Sequence, residues 1–160
     1  MASKPTTDKP PEAHDPWVCL LRGHAVVLRT VAAQLRASHG LTVNEYEALL
    51  LLSRADQKSM RRIDLADALH LSASGVTRLL EGLEQKGMVE KAVCPSDGRV
   101  TYAVLTQVGS RTLAKASGAH VAALRTVFEE RYTRTELATL AELLARLSGP
   151  SGAGQNGRFT

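Results

Sequence analysis

Apolar residues recur at helical spacing through most of the chain, and one short region breaks that period. The stretch WVCLLRGHAVVLRTVAAQLRASHG, residues 17–40, reads as a long helix ending near Gly40, a residue suited to a left-handed cap. Its apolar positions are too numerous for one stripe, so it needs a second surface to bury, often another subunit. LTVNEYEALLLLSRA follows with a capping box, in which Thr42 accepts from the Glu45 amide and Glu45 reaches back to Thr42. Leu41 and Tyr46 stand where a hydrophobic staple would close that start. RRIDLADALH predicts a short helix, LHLS a turn, and SASGVTRLLEGLEQKG a second helix. Thr106 caps another long helix to about residue 132, and RTELATLAELLARL supplies the last.

The break lies between residues 88 and 105. MVEKAV alternates apolar and polar residues, and VTYAVL is rich in β-branched and aromatic types. Pro95, Ser96, Asp97 and Gly98 are turn formers, so the region predicts a hairpin whose tip projects Arg99. A hairpin tip needs no cation for its own folding, so Arg99 suggests a partner.

The helix before the hairpin can be sorted by face at about 100° per residue. Val76, Leu79, Leu80 and Leu83 fall on one side; Ser74, Thr77, Arg78 and Glu81 fall on the other. Ser72 is the N-cap candidate, which places the polar face in the first turns. Alone, this is the pattern of any solvated surface helix. Preceded by a short helix and a tight turn, it is also a helix-turn-helix, whose second helix puts its N-terminal residues on base edges in the major groove. Small side chains let that helix approach, and Arg78 has the fork that suits guanine O6 and N7. A following hairpin with an arginine tip completes the order of a winged helix, with the wing at the minor groove or adjacent backbone.

With these elements in place, the chain resembles the MarR family of bacterial transcriptional regulators across roughly residues 17–147. The most specific element is Asp-x-Arg followed by Leu-Thr-x-x-Gly, here Asp97, Arg99, Leu105, Thr106 and Gly109. LADALHLSASGVTRLLEGLEQKGMVEK is similar to the family's helix-turn-helix over its full length. The resemblance implies a mainly α fold with a small β-hairpin wing. It implies a winged helix-turn-helix at about 42–106, and N- and C-terminal helices, 17–38 and 107–147, that interlock as a homodimer. It further implies double-stranded DNA with a near-palindromic operator as partner. Ser72, Ser74, Thr77 and Arg78 would lie in the major groove, and Arg99 in the minor groove, oriented by Asp97. Arg61, Arg62, Lys86 and Lys91 are the phosphate candidates. Regulators of this family commonly release DNA when a small phenolic or lipophilic effector binds between the dimer region and the DNA-binding lobe.

Composition refines these expectations. A net charge of +4 permits a polyanionic partner. From residue 59 to 105, however, Arg61, Arg62, Arg78, Lys86, Lys91 and Arg99 are matched by Asp64, Asp67, Glu81, Glu84, Glu90 and Asp97. Binding must then rest on the arrangement of charge, and Glu81 is either a cytosine N4 acceptor or a group that rejects wrong sites. The neutral lobe also suits a second reading, a winged-helix protein-interaction module that never touches DNA.

No apolar run approaches the ~20 residues of a membrane span, so no membrane partner is expected. The start lacks a signal peptide's apolar segment, which predicts a cytoplasmic protein. Residues 1–16 and 148–160 are too poor in apolar side chains to fold alone and are expected to be disordered. Two cysteines, Cys19 and Cys94, fit a reducing compartment. A branch of the family senses organic hydroperoxides through a cysteine near the start of the first helix, where Cys19 stands. The two tyrosines that usually support it have no obvious counterparts, nearby positions holding Gly23 and Thr30, which favours Cys19 as a buried, inert thiol. Cys94 reads as structural. Trp17 reads as a cap on the dimer core. His14, His24, His39, His70 and His120 are scattered without metal-site spacing, so neither metal nor cofactor is expected. No catalytic constellation is apparent, which argues against an enzyme.

Overall fold

The computed structural model describes residues 12–94 and 97–147. Among them the elements run α1 (His14–His39), α2 (Val43–Arg54), a single 3₁₀ turn (Asp56–Lys58), β1 (Ser59–Arg61), α3 (Arg62–Ala68) and α4 (Ala73–Gln85). They continue with β2 (Val89–Val93), β3 (Thr101–Leu105), α5 (Gln107–Phe128) and α6 (Arg134–Ala145). The expected arm at 1–11 and tail at 148–160 lie outside the described residues, as do Pro95 and Ser96 of the hairpin turn. The fold is mainly helical with a small antiparallel sheet.

Two boundaries correct the sequence expectation. α1 starts at His14, ahead of Trp17, because Pro16 falls in its first turn, where a missing N–H costs no intrahelical bond. Asp15 in the same turn complements the helix dipole. The expected hairpin of β2 and β3 is present, Val89 opposite Leu105, and it gains a third strand. β1 pairs antiparallel with β3, Ser59 opposite Val104 and Arg61 opposite Tyr102, giving the order β1-β3-β2. Ser-Met-Arg is too short to show a period of two, so only the pairing reveals it.

The other starts follow local chemistry. The Thr42 amide donates to Glu45 Oε2 at 2.7 Å, and the Glu45 amide donates to Thr42 Oγ1 at 3.2 Å. Leu41 and Tyr46, the expected staple pair, are both buried. Thr133 and Glu136 form a second capping box at α6, a T-x-x-E signal that the chain carries in plain view. Ser72 caps α4 by accepting from the Gly75 amide at 3.1 Å.

The core is aliphatic. Leu35, Leu41, Leu49, Leu52, Leu65, Leu80 and Leu83 are fully buried, and Tyr46 is the aromatic residue among the buried set. Each such leucine contributes on the order of 1.5–3 kcal/mol of transfer free energy. This core joins α1 and α2 to α4, the sheet and α5. The two outer helices are different. α1 buries only Val31 and Leu35, α6 buries no residue, and Trp17, Leu20, Leu21, Val26, Leu28, Leu143 and Leu144 are exposed. By length and composition α1 is apolar enough to cross a bilayer, which corrects the expectation that no segment approaches that limit. Arg22 and Arg29 break it as a run without removing its average apolarity.

Two backbone positions carry the winged helix. The first is the junction of wing and α5. Thr106 Oγ1 donates to the Gly87 carbonyl at 2.7 Å and accepts from the Gly109 amide at 3.1 Å. The Thr106 amide donates to the Met88 carbonyl at 3.1 Å. A Cβ on Gly109 would collide with that carbonyl and lie 2.7 Å from Leu105 Cδ1. Gly109 therefore lets the first turn of α5 press on the start of β2. The second is the turn between α3 and α4. The Leu71 amide donates to the Ala66 carbonyl at 2.9 Å and the His70 amide to Asp67 at 3.1 Å, a Schellman ending with His70 at φ 52°. α4 ends the same way, but with Gly87 at φ 67°.

Gly109→Ala in an open helix would stabilise by up to about 1 kcal/mol. Here it should destabilise by about 2 kcal/mol or more, because a backbone carbonyl has no rotamer with which to yield. Urea unfolding of the two proteins measures the sign. His70→Gly should move the other way, raising stability by about 1 kcal/mol by relieving a left-handed conformation that glycine adopts without strain. A lower thermal midpoint for that variant would mean that the imidazole makes a compensating contact.

Candidate nucleic-acid interface

The α4 helix presents the two faces that its sequence predicts. Val76, Leu80 and Leu83 are buried and Leu79 half-buried, while Ser74, Arg78 and Glu81 are exposed and Thr77 half-buried. The first turn contains no acidic residue. With the Gly75 amide taken by Ser72, the remaining N-terminal amides and the positive end of the helix dipole stay available to an anion. Ser72 and Ser74 hydroxyls lie 3.1 Å apart and share a hydrogen bond. The Thr77 hydroxyl donates to the Ala73 carbonyl at 2.8 Å, so toward solvent it is an acceptor. Among the described residues no side chain holds the Arg78 guanidinium.

The hairpin tip is organised by Asp97. Its Oδ1 accepts from the Arg99 amide at 3.0 Å, and its carbonyl accepts from the Val100 amide at 3.0 Å, closing a turn through Gly98 and Arg99. The Cys94 amide donates to the Val100 carbonyl at 2.9 Å and seals the base of that turn. Asp97 thus fixes the backbone from which Arg99 departs and leaves the guanidinium exposed. It orients the arginine through the main chain, with no ion pair to its head group.

The four phosphate candidates differ in what already holds them. Arg61 makes a two-pronged pair with Asp64, Nε to Oδ2 at 2.7 Å and Nη2 to Oδ1 at 2.9 Å, which raises its pKa further. Lys91 is exposed on β2. Arg62 is half-buried, and its Nη2 is buried without a partner among the described residues. Lys86 points away from the α4 N-terminus: its Nζ donates to Glu45 Oε1 at 2.7 Å and to the Gly40 carbonyl at 3.2 Å. Nothing in the one-dimensional pattern links Lys86 to Glu45. Burial, the strongest influence on Glu45, pushes its carboxyl up; the hydrogen bonds from Lys86 and Thr42 outweigh it and hold the group below the usual carboxylate range.

Away from this face, α2 meets α5 through an aromatic contact that sequence reading did not single out. The rings of Tyr46 and His120 lie 4.5 Å apart, and the Tyr46 hydroxyl donates to Ser117 Oγ at 3.3 Å. Burial lowers the His120 pKa, and its Nδ1 has no partner among the described residues. His120 borders an open apolar cleft of about 360 Å³ with Leu124, Phe128 and Leu137. Cys19 is exposed in the protomer, not buried, and neither cysteine forms a disulfide. Trp17 and His24 are also exposed, and no group of metal-binding side chains occurs among the described residues.

Comparison with known proteins matches this geometry. A profile described as the MarR family covers residues 39–100, the segment from the end of α1 to the wing. An uncharacterised HTH-type transcriptional regulator, YdgJ of Bacillus subtilis (strain 168), is 35% identical over 83 residues, 52% of this chain and 49% of that protein. The chain thus matches about half the length of that curated relative. The crystal structure of AbsC, a MarR family transcriptional regulator from Streptomyces coelicolor, superposes with a TM-score of 0.77 at 29% identity, over 89% of this chain and 96% of its own. Sco3205, a MarR family regulator from the same organism solved in complex with DNA, gives a TM-score of 0.79 at 24% identity, over 92% and 97%. Residues 39–100, from the end of α1 through β2 to the wing turn, thus match the MarR family, and the flanking helices share the fold of MarR family winged helix-turn-helix transcriptional regulators.

Proposed function

We propose that the protein is a homodimeric repressor that binds a near-palindromic DNA operator and releases it on binding a small phenolic or lipophilic effector. The observation that carries the DNA reading is the pairing of two exposed, unengaged guanidiniums with different supports. Arg78 stands on the small-residue face of α4, and Arg99 stands on a turn braced by Asp97. Arg78 would meet guanine in the major groove, beside Ser72, Ser74 and Thr77. Arg99 would enter the minor groove, which reports width and potential more than sequence. Lys91 and Arg62 are the phosphate candidates with fewest competing partners.

The dimer is supported by the exposed apolar residues of α1 and α6, surface that a protomer alone leaves in water. The effector is supported by an apolar cleft between α5 and α6, bordered by His120, whose Nδ1 has no hydrogen-bond partner among the described residues. The exposed Cys19 thiol supports a second reading, release by hydroperoxide. Unchanged operator affinity after stoichiometric organic hydroperoxide removes it.

The DNA test compares two arginines on cognate and singly substituted duplexes across a salt series. Arg78→Ala should cost about 1–3 kcal/mol on the cognate duplex and relax discrimination at one position per half-site. Arg99→Ala should weaken all duplexes alike and keep base preference. If Arg99→Ala binds every duplex as the parent does, the hairpin is no wing, and a protein-interaction module becomes the better account. For assembly, sedimentation at micromolar concentration should give a dimer, and Leu144→Asp should aggregate or unfold, since it would bury an unpaired charge. A folded monomer of the parent protein overturns the dimer.

A further inference from the structure

We infer that Lys86 is a positioning residue for the α4 helix, holding its C-terminal end to the α1–α2 corner through Glu45, and that it makes no DNA phosphate contact. The inference rests on the DNA-binding reading above. Three elements meet at one ammonium. Lys86 caps α4, Glu45 lies in the first turn of α2, and Gly40 ends α1. Lys86 Nζ reaches both Glu45 Oε1 at 2.7 Å and the Gly40 carbonyl at 3.2 Å. The other carboxylate oxygen, Oε2, already accepts from the Thr42 amide, so the carboxylate is tied at both ends.

Burial makes the pair matter. The Glu45 side chain is 11% exposed and that of Lys86 39% exposed, so the carboxylate is largely shielded from competing water. Removing the lysine strands a buried anion, a larger penalty than the loss of a surface ion pair. Lys86 also sits where α4 exposes its last carbonyls, where a cation is favoured by the helix dipole.

Geometry then converts a local contact into a binding effect. From Lys86 back to Ser74 is twelve residues of helix, about 18 Å. A tilt of roughly 10° about the tethered end would move Arg78 by about 2 Å and Ser74 by about 3 Å, enough to break base contacts made at hydrogen-bond distance. Lys86 at one end of α4 would thus set where the other end lies. Because Gly40 and Glu45 belong to the corner where α1 joins α2, the same ammonium ties the recognition helix to the helix expected to pair subunits.

The test uses the full chain and a duplex selected by the parent protein from random-sequence DNA. Lys86→Gln should weaken binding on the order of tenfold while leaving the slope of log affinity against log salt unchanged, since no phosphate contact is lost. Glu45→Gln should do the same, because glutamine preserves the capping box but not the ion pair. The double variant should be no weaker than either single one, and Lys86→Arg should restore parent affinity. A slope reduced by about one unit in Lys86→Gln, with Glu45→Gln binding normally, would make Lys86 a phosphate contact and overturn the inference. If the parent selects no duplex, the DNA-binding reading falls on that result alone. The tether is then judged by amide hydrogen exchange. Lys86→Gln should speed exchange at residues 41–45 and 83–88 together, and parent-like protection in both segments would overturn it.

Discussion

The close approach of α5 to the start of β2 is the constraint on which the winged-helix lobe depends. Thr106 spends its hydroxyl twice, toward Gly87 at the end of α4 and toward Gly109 in α5, while its amide takes the Met88 carbonyl. A single residue thereby joins the recognition helix, both wing strands and the long helix that runs back to the α1–α2 region. Only glycine at 109 leaves room for that arrangement. The family signature Leu-Thr-x-x-Gly is therefore a packing requirement. It holds the wing at a set angle to α4 and makes no claim on nucleic acid itself.

The same C-terminal end of α4 carries a second tie of a different kind. Where Thr106 joins neighbours through neutral hydrogen bonds, Lys86 and Glu45 use a shielded ion pair to join α4 to the corner of α1 and α2. Ahead of these two ties, α4 rests on Val76, Leu80 and Leu83 in the aliphatic core. Its outward face is left with small hydroxyls, Arg78 and Glu81, a surface with little net charge. The near balance of cations and anions in this lobe is partly internal: Arg61 is engaged by Asp64 and Lys86 by Glu45. The guanidiniums of Arg78 and Arg99 stand out because Arg61 and Lys86 are already occupied.

The outer helices leave apolar surface uncovered. α6 starts with a complete capping box yet buries none of its residues, so its helicity is specified locally and its packing is not satisfied within the protomer. α1 is apolar enough to pass for a membrane span, yet Val31 and Leu35 anchor its C-terminal half in the aliphatic core. Both observations have one physical source, an amphipathic pattern written for more than one partner surface.

What the sequence determined by itself was everything encoded within a few residues. The capping boxes at Thr42, the Ser72 and Thr106 caps, the two faces of α4 and the Asp97 turn depend on neighbours no more than about one helical turn away, so residue order suffices to read them. Family resemblance added the wing signature, whose residues are recognisable though their reasons are not. Tertiary structure decided what depends on segments far apart. β1 exists only because β3 lies beside it, since Ser-Met-Arg has no strand pattern of its own. His70 in a left-handed turn is set by the approach of α3 to α4, where local preference would have chosen glycine. Lys86 looked like a surface cation because Glu45 is 41 positions away; folding brings them to 2.7 Å and changes what the lysine is for.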